Sequence, residues 1–133
     1  MPPTHERVLI KDNRTVWLRS YQARWKPNTL DKVYDCRSLP NPWSHAELRA
    51  LPGTHPDIMK FVAQKEKFSL ILFPAVNLID SSAQPGVEWT YGDALRVGFI
   101  CVGGRHRSVA MVEHVANYLV KERGWLDKTV EQH

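Results

Sequence analysis

The sequence predicts an α/β fold, a central sheet flanked by helices, and three features carry that expectation. Arg96–Val102 is an unbroken apolar run, as in a central strand covered on both faces. Ser108–Arg123 has helical periodicity, with Val109, Val112, Val115, Ala116 and Leu119 on one stripe and Gly124 as its stop. Further strand and helix candidates alternate upstream, the pattern of one α/β domain spanning residues 1–133.

The remaining elements follow in chain order. Residues 14–21 are rich in β-branched and aromatic side chains and read as a strand, ended at Lys26-Pro27-Asn28. Residues 32–37 form a second, shorter strand. Pro40 and Pro42 then forbid helix over residues 39–43 and impose an extended loop. Ser44, with Glu47 three residues on, is expected to cap a short helix that Leu51-Pro52-Gly53 ends. His55-Pro56-Asp57 opens another helix through about Gln64, with Ile58, Phe61 and Val62 on one face. Residues 68–80 suit a buried helix, kinked at or starting near Pro74, and residues 81–86 a surface loop.

Composition narrows the function classes. At 43% hydrophobic and 24% charged residues in 133, the chain is neither disordered nor fibrous. No apolar run approaches a membrane span, and residues 1–7 hold no apolar leader segment, so a cytoplasmic protein without membrane contact is expected. Two cysteines make no disulfide scaffold. The net charge is +4, from 18 Lys/Arg against 14 Asp/Glu. The surplus sits at the two ends, with eight basic and four acidic residues in 1–37, and six and four in 96–133. That bias favours an anionic partner and calls for no cofactor or metal.

The segment between the last strand and helix, Gly103-Gly104-Arg105-His106-Arg107, has the makings of a phosphate-binding turn. Glycines let backbone N–H groups converge, and the helix start favours an anion. Arg105 and Arg107 add charge, and His106 and the Ser108 hydroxyl add donors. The plainer reading is a tight turn with Ser108 as a cap.

Cys101-Val102-Gly103-Gly104-Arg105-His106-Arg107-Ser108 also resembles the Cys-x-x-Gly-x-x-Arg-Ser signature of cysteine-dependent tyrosine phosphatases. On that alternative Cys101 is the nucleophile, Arg107 holds the phosphate oxygens and Asp35 is the acid candidate. The family's His before the cysteine is Ile100 here, and no Trp-Pro-Asp acid loop is present.

A second segment favours another resemblance. Asp35-Cys36-Arg37-Ser38-Leu39-Pro40-Asn41-Pro42 is followed by Leu48-Arg49-Ala50-Leu51-Pro52-Gly53, and later by Cys101-Val102-Gly103-Gly104-Arg105-His106-Arg107-Ser108-Val109. In this order, over roughly residues 16–124, they closely resemble the C-terminal domain of the RapZ family of RNase adapter proteins. The resemblance implies a regulatory domain that senses a phosphorylated small molecule such as an amino-sugar phosphate and binds RNA and a ribonuclease. Asp35, Arg37 and Asn41 would line one side of its pocket, and Cys101, Gly103, Gly104, His106, Arg107 and Ser108 the other. Self-association would suit such a domain.

Three departures qualify this. No Gly-x-x-x-x-Gly-Lys-Ser/Thr occurs in the chain, so nucleotide hydrolysis is not implied. Trp43 stands where the family has His, with His45 two residues on. The basic tail of the family is replaced by the nearly neutral residues 126–133, which weakens the expectation of RNA binding. Arg7, Lys11, Arg14, Arg19, Arg24 and Lys26, with Trp17, Tyr21 and Trp25, offer a substitute single-strand platform or simply a solvated face.

Overall fold

A computed structural model describes residues 2–130. The α/β expectation holds. Five strands, β1 (His5–Lys11), β2 (Arg14–Gln22), β3 (Lys32–Asp35), β4 (Leu95–Cys101) and β5 (Leu126–Asp127), form one sheet in the order β3-β4-β2-β1-β5. β3, β4 and β2 are parallel, while β1 pairs antiparallel with β2 and with β5.

The first hairpin went unread in the sequence because β1 is rich in charge. Its helix-side positions carry His5 and Arg7, which reach Glu113, and Lys11, which reaches Asp80. Asp12 and Asn13 both have positive φ, 50° and 64°, between the paired residues Lys11 and Arg14. That is the two-residue hairpin turn that Asp and Asn favour.

The helices are α1 (Ala46–Arg49), α2 (Pro56–Val62), α3 (Ser69–Ser82) and α4 (Arg107–Arg123). α4 lies against β1, β2 and β4, and α2 and α3 pack on α4. Its predicted stripe of Val109, Val112, Val115, Ala116 and Leu119 is buried, facing Leu9, Val16, Leu18, Val97 and Phe99 of the strands. Each such side chain contributes about 1.5–3 kcal/mol by leaving water. On the opposite side of β4 a loop closes the sheet: Leu30 sits where a Cβ on Gly98 would be, 2.5 Å away. Gly124 ends α4 with φ 74°, and the buried Trp125 follows, its N–H donating to the Leu119 carbonyl. No helix among the described residues is long and apolar enough to cross a membrane.

Several local expectations need correction. Ser44 does not cap a helix; it ends a 3-10 turn, Pro42–Ser44, and α1 is preceded by His45 without a side-chain cap. Pro42 opens that turn because its fixed φ suits a helical first position, so the two prolines do not keep the whole of 39–43 extended. α3 starts at Ser69, so Pro74 lies inside it and not at its start. Ser81 and Ser82, expected in the following loop, complete α3. After Gly124, where no element is expected, the chain rejoins the sheet. Leu126 and Asp127 form the edge strand, Lys128 N–H donates to the Val8 carbonyl, and Val8 N–H donates to Thr129 Oγ1. Residues 131–133 of the nearly neutral segment 126–133 lie outside the described residues.

Candidate functional site

The parallel strands end together. Asp35 is level with Ile100 and Gln22 with Cys101, so the C-terminal ends of β3, β4 and β2 meet where the phosphate turn was expected. Open parallel sheets bind their ligands at that end. After Cys101 the chain runs through Val102–His106 into α4. Gly104 has φ +65° and lies so close to β2 that an added Cβ would stand 2.7 Å from the Gln22 nitrogen. Gly103 has nothing within 4 Å of that position and faces open space. The N–H groups of Gly103, Gly104, Arg105 and His106 have no acceptor among the described residues, and the His106 side chain does not cap α4. Free donors therefore line the positive end of a 17-residue helix.

The second motif buttresses this loop. His106 Nε2 lies 2.8 Å from the Leu51 carbonyl. A carbonyl only accepts, so Nε2 carries the proton and Nδ1 is left as the acceptor. Arg105 Nη2 reaches the Ala50 carbonyl at 3.4 Å. Gly53 passes so near α4 that a Cβ would meet Val109 Cβ at 2.6 Å and the Arg105 carbonyl at 2.7 Å. The Leu-Pro-Gly segment thus has a packing reason: it holds the turn that holds the loop.

Beneath the loop, Cys101 Sγ lies 3.1 Å from Ser108 Oγ and accepts the Ser108 N–H at 3.4 Å. Cys101 and Ser108 are both buried. Cys36, also buried and free, follows β3, its N–H on the Ile100 carbonyl. Burial pushes the Cys36 thiol far up, so it stays protonated and inert.

Asp35 and Arg37 form a two-pronged ion pair, Nε and Nη2 of Arg37 donating at 2.7–3.1 Å, with both side chains about half exposed. The Arg37 guanidinium holds the Asp35 carboxyl below the usual carboxylate range, and Arg107 adds to the effect. Arg107 is only 8% exposed and donates from Nη1 to the Arg37 carbonyl at 2.7 Å. Its Nε and Nη2 have no acceptor among the described residues.

These elements enclose a concavity of about 350 Å³ lined by Asn41, Trp43, Cys101, Val102, Gly103, Arg105, His106 and Arg107. Five of the nine residues expected in a pocket line it: Asn41, Cys101, Gly103, His106 and Arg107. Asp35 and Arg37 sit outside the lining as an ion pair, while Gly104 and Ser108 are buried below it. Asn41 is partly committed to its own turn, Oδ1 accepting the Trp43 N–H at 3.1 Å, while its amide N–H₂ has no acceptor among the described residues. Trp43, Val102 and Arg105 complete the wall. Their signal was local: Trp43 follows Asn-Pro, and the other two lie inside the loop.

Comparisons with known proteins show the family. The sequence model of the RapZ C-terminal domain matches residues 15–133. A nucleotide-binding protein of Ruegeria pomeroyi is 39% identical over 101 residues, 76% of this chain and 35% of the relative. One from Haemophilus ducreyi is 35% identical over 88 residues, 66% of this chain and 30% of its own length. One from Staphylococcus aureus is 35% identical over 89 residues, 67% and 29%. The chain spans about a third of the length of the curated relatives it matches.

Proposed function

The chain belongs to the RapZ C-terminal domain family, and from that premise we propose that it is a regulatory domain binding a phosphorylated small molecule, a phosphosugar or a nucleotide. One observation carries the reading. The N–H groups of Gly103, Arg105 and His106, without acceptors among the described residues, belong to residues that line one concavity together with the largely buried Arg107. The N–H groups would take phosphate oxygens, and Arg107 would add a fixed charge at no ordering cost. The Asn41 amide and His106 Nδ1 would meet a hydroxyl or an amine.

The name of the relatives, nucleotide-binding protein, is compatible with this reading. The RNA-adapter part has less behind it. Arg7 is paired with Glu113 and Asp127, Lys11 with Asp80, and Arg19 with Glu6, while Arg14 caps the carbonyls of Ser82, Gln84 and Val87. A nucleic acid would have to displace these partners.

The phosphatase alternative rests on the Cys101–Ser108 contact, in which a hydroxyl and an N–H face the sulfur. Against it, the ion pair with Arg37 keeps Asp35 ionised at neutral pH, which leaves it no proton to donate to a leaving group. Thermal-shift titration with glucosamine 6-phosphate and with nucleotides tests the binding reading. A concentration-dependent rise in melting temperature supports it, and no rise with any of them overturns it.

A further inference from the structure

The concavity has two unlike halves. One is the anion half, Gly103–Arg107. The other presents the Trp43 indole and the Val102 side chain, both exposed. Trp43 is 55% exposed, although tryptophan has the largest apolar surface of any side chain and stabilises a fold most by leaving water. It is nevertheless held in place. Its backbone N–H donates to Asn41 Oδ1, its backbone carbonyl accepts from Arg49 Nε at 2.6 Å, and the Arg49 guanidinium lies 5.5 Å from the ring centroid. A half-bare indole on an anchored main chain beside an anion loop, in a concavity within the usual range of small-ligand sites, offers its face to a flat apolar group.

Arg107 supplies independent evidence for the anion half. It is more than nine-tenths buried, lines the concavity, and has two guanidinium nitrogens without acceptors among the described residues. We infer that the site takes a phosphomonoester bearing a planar heteroaromatic ring, a nucleoside monophosphate, whose base stacks on Trp43 while its phosphate lies on the Gly103–Arg107 loop. This rests on the phosphorylated-ligand reading above and decides between its two ligand classes. Both classes carry the phosphate and the hydroxyls that the loop, Asn41 and His106 would meet, whereas only the nucleotide adds a base whose π-face can stack on the indole.

Calorimetric titration tests this with adenosine 5′-monophosphate, ribose 5-phosphate and inorganic phosphate, on the natural chain, Trp43→Ala and Trp43→Phe. The side chain is exposed, so both variants should fold, and their melting temperatures verify it. The expected result is that the nucleotide binds about tenfold tighter than ribose 5-phosphate. Trp43→Ala should abolish that difference, and Trp43→Phe should keep most of it. Equal affinity for the two phosphomonoesters, or a preference that survives Trp43→Ala, overturns the stacking inference and leaves the phosphate reading standing. Failure of all three probes to bind overturns both.

Discussion

Arg107 Nη1 donates to the backbone carbonyl of Arg37, 70 residues away in sequence and 2.7 Å away in space. The contact joins the phosphate turn to the Asp-Cys-Arg segment, and it bypasses the Arg37 guanidinium, which is engaged with Asp35. The Asp35–Arg37 segment therefore contributes main chain to the site, and its charged pair sits outside the lining.

Substitution at Arg107 should accordingly have two separable effects. Arg107→Ala leaves the Arg37 carbonyl without its donor and should cost about 1–3 kcal/mol in urea denaturation. It should also remove any phosphate-dependent rise in melting temperature. Arg107→Lys keeps a charge but not the fork that engages a carbonyl and a phosphate together, so binding should weaken at least tenfold with a smaller loss of stability. Ligand binding at natural affinity in Arg107→Ala would refute the site.

Cys101 separates binding from catalysis. If its sulfur only anchors Ser108, the natural chain should not hydrolyse an aryl phosphate at high protein concentration. Cys101→Ala should then lose about 1–2 kcal/mol, as the Ser108 hydroxyl and N–H lose their common partner. Turnover that vanishes in Cys101→Ser would reinstate the phosphatase reading.

What could be read in the sequence follows the range of the forces involved. The strand 95–101 and the helix after it were legible because each carries its whole pattern locally, and the glycine-arginine turn lies between them. β1 was hidden because His5, Arg7 and Lys11 are polar for a reason 69 to 108 residues away, in Asp80 and Glu113. β5, at two residues, is too short to show any period. Within the site, the resemblance named Asp35 and Arg37, yet only the fold shows them paired outside the concavity. Whether Asn41 faces a ligand or its own backbone depends on a turn whose type the two flanking prolines did not settle; Oδ1 does the latter and the amide remains for the former.

Stability should decline on acidification, beginning with His114. Burial holds this imidazole below its ordinary value of 6.5, with Nε2 on the Met59 carbonyl and Phe68 edge-on to the ring. The unfolded chain then binds more protons than the folded one below that value, so stability falls as pH drops through it. Glu113 acts lower. Burial pushes its carboxyl up, but the His5 ring and the Arg7 guanidinium outweigh that and hold it below 4.5. Its contribution is complete above 4.5 and is lost as pH falls through the folded value. Urea midpoints from about pH 7.5 to about pH 4 should therefore fall in two stages. His114→Gln should flatten the upper stage alone, and a midpoint constant above pH 5 would contradict the assignment.

The two adjacent glycines should respond oppositely, because their surroundings differ. At Gly104 a Cβ meets the backbone of Gln22 at 2.7 Å and that of Tyr21 at 2.9 Å, in a left-handed conformation with φ +65°. Neither strand nor loop can yield without breaking the β2–β4 pairing, so Gly104→Ala should destabilise by about 2–4 kcal/mol. At Gly103 a Cβ meets nothing within 4 Å, and φ is not in the left-handed region, so Gly103→Ala should stay within about 0.5 kcal/mol of the natural chain. Its methyl group nonetheless enters the wall of the concavity, where a phosphate would lie on the Gly103 N–H. Gly103→Ala should thus keep its denaturation midpoint while losing phosphate-dependent stabilisation. A variant that unfolds early would mean the loop is packed more tightly than its geometry indicates, and one that binds normally would move the phosphate away from Gly103.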